Sequence, residues 1–173
     1  MALDFDAVLD DVNWQILSEL QLNARLSYSE LGRRVGLTSP AVAERIRRME
    51  EAGIIEGYRA VVNLERVGLP LLAMIRLATD ERMCAQFSAL VKDIPEVLEC
   101  CRITGGDSYI VKVAVRSVRH LEELLDRLMP YGQTVTSLVL STPVTYRAIA
   151  PAEAVPSTAV AADRPDAHAL RRS

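Results

Sequence analysis

Histidine is scarce in this chain, with two among 173 residues, and cysteine hardly commoner, with Cys84, Cys100 and Cys101 alone. Neither histidine stands near a cysteine or carboxylate cluster, so metal-ligand spacings are missing and no convergent nucleophile and base are visible. No cofactor, metal or catalytic set is therefore expected. The cysteines lack C-x-x-C spacing, and neighbours such as Cys100 and Cys101 on a strand point to opposite faces, which reads as core filling. Long apolar runs are absent too. None approaches the roughly 20 residues a membrane helix needs, and the opening MALDFDAVLDD is acidic where a secretory leader is basic, so the expected setting is the cytoplasm, without a membrane. A basic excess is also lacking, because 20 Lys and Arg face 23 Asp and Glu for a net charge of −3.

That average conceals a local imbalance. From Arg25 to Arg48 there are six arginines (25, 33, 34, 45, 47 and 48) against Glu30 and Glu44, and a basic patch rather than a basic chain is the footprint of a DNA-binding surface. Half of the residues are apolar and a quarter charged, ordinary for a chain that buries a core.

The first third reads as three short helices. Asp10 caps one in which Leu9, Val12, Ile16, Leu17 and Leu20 form an apolar stripe that ends near Asn23, with Trp14 off the stripe. Ser27 and Glu30 make an S-x-x-E capping box for a second helix that turns Leu31 and Val35 inward and stops at Gly36. Ser39 is expected to cap the third, with Pro40 in its first position and Gly53 at its end. At 100° per residue, Val42, Ile46 and Met49 share one face, Ala43, Glu44, Arg47 and Arg48 project from the other, and Arg45 lies at the boundary. A short helix, the turn LTS and a longer helix with small and arginine side chains outward form a helix-turn-helix arrangement. Arginine forks take guanine O6 and N7 or hold phosphates, and Ala43 permits close approach. The same arginines would equally satisfy a solvated surface by pairing with Glu44, Glu50 and Glu51.

Beyond Gly53 the stretch IIEGYRAVVNL is β-rich and reads as a strand-like connector, closed by Pro70. LLAMIRLA is a strand. Asp80 to Ile94 follows as a helix with Met83, Cys84, Phe87, Leu90, Val91 and Ile94 on one face, ended by Pro95. VLECCRI and SYIVKVAVR are strands joined at Thr104, Gly105, Gly106 and Asp107, a turn suited to a tight hairpin. Ser117 caps a helix with Val118, Leu121, Leu124, Leu125 and Leu128 inward, and TVTSLVLSTPV is the last strand. The order βαββαβ is the ferredoxin-like arrangement, with both helices on one face of a four-stranded antiparallel sheet. In SYIVKVAVR neither face is plainly solvent-like, so the open face is expected to pack against that of a second copy. The fold class is α+β. The domains run 8–55 (helix-turn-helix), 56–69 (linker) and 70–149 (ferredoxin-like), and 150–173, rich in Ala, Pro and charge with His168, Arg171 and Arg172, is read as a disordered tail.

The residues LDDVNWQILSELQLNARLSYSELGRRVGLTSPAVAERIRRMEEAGIIEGYRAVVN, with TGGDSYIVKV and TSLVLSTPVTYR, closely resemble the Lrp/AsnC family over about residues 8–148. The resemblance implies a winged-helix-type domain on double-stranded DNA, and a module of RAM/Lrp C-terminal type that dimerises and builds octamers. It also implies transcriptional control, often of amino-acid metabolism genes, answering to an amino acid or similar effector. By it, Ser39, Arg45, Arg47 and Arg48 match recognition-helix positions. Together with Arg33, Arg34, Ala43 and Glu44 they make the expected DNA-binding set. Thr104, Gly105, Gly106, Asp107, Ser108 and Tyr109 match the effector loop, where the family motif G-D-Y-D-Y is shortened here. Glycine-loop N–H groups suit a ligand carboxylate and Asp107 an amino group, near Thr134 and Thr136; the same glycines also serve simply to turn the hairpin. Asn13 stands where the family carries Asp, a change expected to affect local capping only. Two other readings remain open. One is a sirohaem-decarboxylase-like enzyme using His120, and the other is a ligand-binding module that does not touch DNA.

Overall fold

The computed structural model describes residues 8–151, and the expected tail beyond them lies outside the described residues. Among these, 8–59 together with 146–151 form one compact unit and Ala60–Thr145 another.

The first unit is built from helices α1 (Asp11–Leu22), α2 (Tyr28–Val35) and α3 (Ser39–Glu51). Asp10 accepts from the Asn13 N–H at the start of α1, and Ser27 from the Glu30 N–H at the start of α2. Gly36 ends α2 in the left-handed region at φ 73°, which a side chain would resist. The cap of α3 is Thr38, not Ser39: the Thr38 hydroxyl accepts from the Ala41 N–H, and Ser39 and Pro40 occupy the first two helical positions. Either hydroxyl suits a cap by type, and the backbone register decides. Ile16, Leu20, Leu31, Val42, Ile46 and Met49 form the buried core. IIEGYRAVVNL makes no strand, because β-rich sequence still needs a partner strand to pair with.

In the second unit, strands β1 (Leu71–Ala78), β2 (Val97–Arg102), β3 (Tyr109–Val115) and β4 (Gln133–Leu138) pair antiparallel in the order β2-β3-β1-β4. Helices α4 (Glu81–Leu90) and α5 (Val118–Leu128) cover one face. This is the ferredoxin-like α+β arrangement the periodicity implied. The helix expected to reach Ile94 gives way at Leu90 to a 3-10 turn over Val91–Asp93. Val118, expected inward, is exposed. Ala73, Ile75 and Leu77 of β1 and Tyr109, Val111, Val113 and Val115 of β3 face Phe87, Leu121, Leu124 and Leu128. The opposite face carries Leu72, Met74 and Arg76, with Ile110, Lys112 and Ala114 alongside in register. Cys84 and Cys100 pack against the core, but Cys101 pairs with Ile110 on that open face and is exposed, which corrects the reading of all three as core filler.

The last strand stops at Leu138, short of the expected TVTSLVLSTPV. From Tyr146 to residue 151 the chain packs with the first unit. There the Tyr146 hydroxyl and the Ile149 N–H donate to Gln21 Oε1, and Gln21 Nε2 donates to the Ile149 carbonyl.

Candidate DNA-binding helix and ligand loop

The turn between α2 and α3 is held by the Leu37 N–H donating to the Gly32 carbonyl at 2.9 Å. Gly32 is buried, and a Cβ on it would stand 2.4 Å from the Leu37 carbonyl oxygen, so the tight turn needs glycine there. Sequence reading passed over Gly32 because it sits inside a helix; the signal was a glycine five residues before the turn.

Every arginine of the expected DNA-binding set carries an acidic partner. Arg33 pairs with Glu30, and Arg34 reaches Glu19 at 2.6 Å and Glu30 at 3.2 Å. Arg47 donates Nε and Nη2 to the two oxygens of Glu44 at 3.0 and 2.8 Å, and Nη1 to Glu51. Arg48 Nε donates to Glu44 Oε1 at 2.8 Å. Hydrogen bonds from Arg47 and then Arg48 hold the Glu44 carboxyl down at about 2, and Glu44 and Glu51 in turn raise Arg47. Arg47 and Arg48 are exposed while Ala43 and Glu44 are half-buried, which is the outward face that helical spacing implied. Glu50, expected as another arginine partner, instead accepts from the Tyr58 hydroxyl at 3.0 Å. Burial and then Glu50 push that phenol up to about 12.

Arg45 turns away from this surface. Its Nη1 donates to Asp10 at 2.6 Å and to Asn13 Oδ1 at 3.0 Å, and the hydrogen bond from Arg45 is the chief cause holding Asp10 below its ordinary value. Asn13 is buried and its Nδ2 donates to the Val8 carbonyl, so its influence extends to α3 and is not confined to local capping. A cavity of about 350 Å³ lies here, lined by Asp10, Asn13, Ala41, Glu44, Arg45 and Arg48. Trp14 is half-buried and lines a separate hollow of about 290 Å³ with Gln15, Ser18, Glu19 and Arg34.

In the second unit, Thr104, Gly105 and Gly106 are exposed at the β2–β3 loop, and Gly105 has φ 118°. Asp107 is half-buried, 3.5 Å from Arg76 Nη1. Arg76 escaped sequence reading because only the strand pairing brings it to the loop. Ser108 is spent on structure, its hydroxyl accepting from the Thr79 N–H and donating to the Thr79 carbonyl, both at 3.1 Å. The Tyr109 ring lies in the core against Phe87, its hydroxyl donating to the Cys84 carbonyl at 3.1 Å. Thr134 and Thr136 stand opposite Leu77 and Ile75, on the helix-covered side of the sheet, away from the face that bears Arg76. The loop therefore groups Thr104 to Asp107 with Arg76 and sets the other four apart.

His120 is not a free ligand. Its Nδ1 accepts from the Arg116 N–H at 3.3 Å and its Nε2 meets Glu96 at 2.9 Å. Among the described residues no group of three His, Cys, Asp or Glu side chains could hold a metal, and no helix is long and apolar enough to cross a membrane.

These features define a class: a helix-turn-helix unit joined to a ferredoxin-like ligand-binding unit. Residues 9–50 match the AsnC-type helix-turn-helix domain and residues 72–149 the Lrp/AsnC ligand binding domain. The chain is 42% identical to the HTH-type transcriptional regulator YezC of Bacillus subtilis, over 77% of its own length and 94% of that protein. It resembles the structure of LrpC from B. subtilis with a TM-score of 0.76 at 33% identity, covering 80% of this chain and 99% of that one. A structure of the transcriptional regulator NMB0573 from Neisseria meningitidis in complex with L-Met gives 0.77 at 31% identity, covering 82% and 96%. The chain belongs to the Lrp/AsnC family of transcriptional regulators and is itself a DNA-binding, helix-turn-helix regulator with a domain for a small effector.

Proposed function

We propose that this regulator binds double-stranded DNA as a dimer, presenting α3 of each copy to the major groove, and that an amino acid tunes its binding. The observation that carries the reading is the Gly32-dependent turn, which projects Ala43, Glu44, Arg47 and Arg48 from one side of α3 while Val42, Ile46 and Met49 anchor the other. Arg33, Arg34 and Ser39 flank it as backbone contacts, while Arg45 joins this surface only by leaving Asp10. The open sheet face, with Leu72, Met74, Ile110 and the exposed Val135, is the surface for the second copy, and further assembly into octamers follows the family pattern.

The effector enters at Thr104 to Asp107, where loop N–H groups meet its carboxylate and Asp107 its amino group; the L-Met complex of the Neisseria relative supports this ligand class. Ser108, Tyr109, Thr134 and Thr136 shape the loop and its neighbouring strand. Domain limits of 8–55, 56–69 and 70–149, a cytoplasmic setting and the absence of catalysis complete the proposal. The relatives are regulators, and the engagement of His120 by Glu96 favours this over a haem-type enzyme.

Titration of duplex DNA at several salt concentrations tests the interface: log affinity should fall linearly with log salt, by about 0.9 per neutralised phosphate. A salt-independent affinity would instead favour a module that does not use DNA. For the effector, calorimetry against the twenty amino acids should give one saturable heat that Asp107→Ala removes. No saturable heat with any of them would reject the site.

A further inference from the structure

Arg47 has no nitrogen left unpaired: Nε and Nη2 form a fork onto Glu44 at 3.0 and 2.8 Å, and Nη1 goes to Glu51. Arg48 adds its Nε to the same Glu44 oxygen that takes Arg47 Nη2. The outward face of α3 thus carries two arginines and two glutamates with no net charge to offer, Arg47 engaged through all three nitrogens and Arg48 held through its Nε. A phosphate brings acceptors only. To win Arg47 it must replace each carboxylate oxygen in turn, and it leaves Glu44 facing another anion, so the exchange gains the arginine no new acceptor and adds a like-charge repulsion. A base-pair edge is different, because the major groove of a C·G pair shows guanine O6 and N7 acceptors beside the cytosine N4 donor. That edge satisfies an arginine and Glu44 together.

We propose that Glu44 is the specificity-determining residue of this surface, withholding Arg47 and Arg48 from bare backbone and releasing them to a C·G pair whose cytosine amino group it accepts. The proposal rests on the reading of α3 as the helix that enters the groove. Three observations support it. Glu44 is the hub of the cluster, its charge persists to about pH 2, and at half-burial it has less freedom to swing aside than the more exposed Glu51. Glu51 serves as the natural comparison, since it holds Arg47 alone.

The experiment is selection of a randomised duplex library by the full chain, its E44A and E51Q variants, and titration of each against one unselected duplex over a salt series. The wild-type chain should enrich a C·G pair at a fixed half-site position. E44A should lose that preference and bind the unselected duplex several-fold tighter, with a log–log salt slope steeper by about 0.9 for each additional phosphate that the freed arginines neutralise. E51Q should tighten non-selective binding while keeping the C·G pair. The proposal is overturned if E44A enriches the same sequence with unchanged non-selective affinity, or if E51Q loses the same base pair as E44A. A wild-type chain that retains no duplex removes the groove-binding reading itself, and this proposal with it.

Discussion

Arg45 of α3 and Asp10 at the head of α1 meet at 2.6 Å, and the other oxygen of Asp10 accepts from the Asn13 N–H at 2.7 Å. One carboxylate thus caps the first helix and ties it to the third. Losing an N-cap costs about 1 kcal/mol, and a half-exposed ion pair adds about 0.5. Asp10→Ala should therefore destabilise the chain by about 1–2 kcal/mol in urea unfolding. Asp10→Asn, which keeps a capping oxygen, should lose less than half of that. Equal losses would mean that the cap contributes nothing.

Arg47→Ala separates function from stability. Its partners lie at the surface of its own helix and tie it to no other element, so the melting temperature should hardly move, while affinity for a selected duplex should drop about tenfold or more. Fluorescence anisotropy with a labelled duplex reads the second effect. Unchanged affinity takes Arg47 out of the interface.

Gly32→Ala should strike both properties. Its Cβ would stand 2.4 Å from a backbone oxygen, which no side-chain rotation relieves. Overpacking of this kind costs about 1–3 kcal/mol, and the α2–α3 turn must open to relieve it. Unfolding and DNA titration of the same variant should fall together. A variant of normal stability and affinity would show that the turn yields freely.

The Glu96–His120 contact gives a pH signature. Burial pushes the Glu96 carboxyl up, but the His120 hydrogen bond, with help from its own backbone and Arg127, leaves it below its ordinary 4.5. A lowered folded-state value means that the unfolded chain binds the proton more readily. The stabilisation is then complete above about pH 4.5 and is lost as pH falls through the folded value. Glu96→Gln should cost about 1–2 kcal/mol near neutral pH, and the gap from wild type should close in acid. A gap constant from pH 7 to 3 would exclude the carboxylate as its cause.

Much of the architecture was legible because it follows from period and punctuation. Ile16, Leu31, Val42 and Ile46 announce buried helix faces, Ser27, Gly36 and Ser117 mark ends, and β1 and β3 show themselves as β-rich stretches between turn residues. These signals are local, and each acts within about one helical turn or strand pair. The strand-like connector over IIEGYRAVVNL stays unpaired for the opposite reason, since strand propensity is not a strand until a partner supplies hydrogen bonds.

Sequence by itself determined the order of elements, the apolar faces and the helix that carries Arg47 and Arg48, because side-chain direction follows directly from helical and strand periodicity. Only the tertiary structure decided which polar groups meet: Arg45 with Asp10 across 35 positions, Arg76 with Asp107 through strand pairing, and Gln21 with the Ile149 backbone across 128. Tyr109 went to the core and Ser108 to Thr79 for the same reason. A long side chain finds its partner in space, and no spacing along the chain encodes that distance.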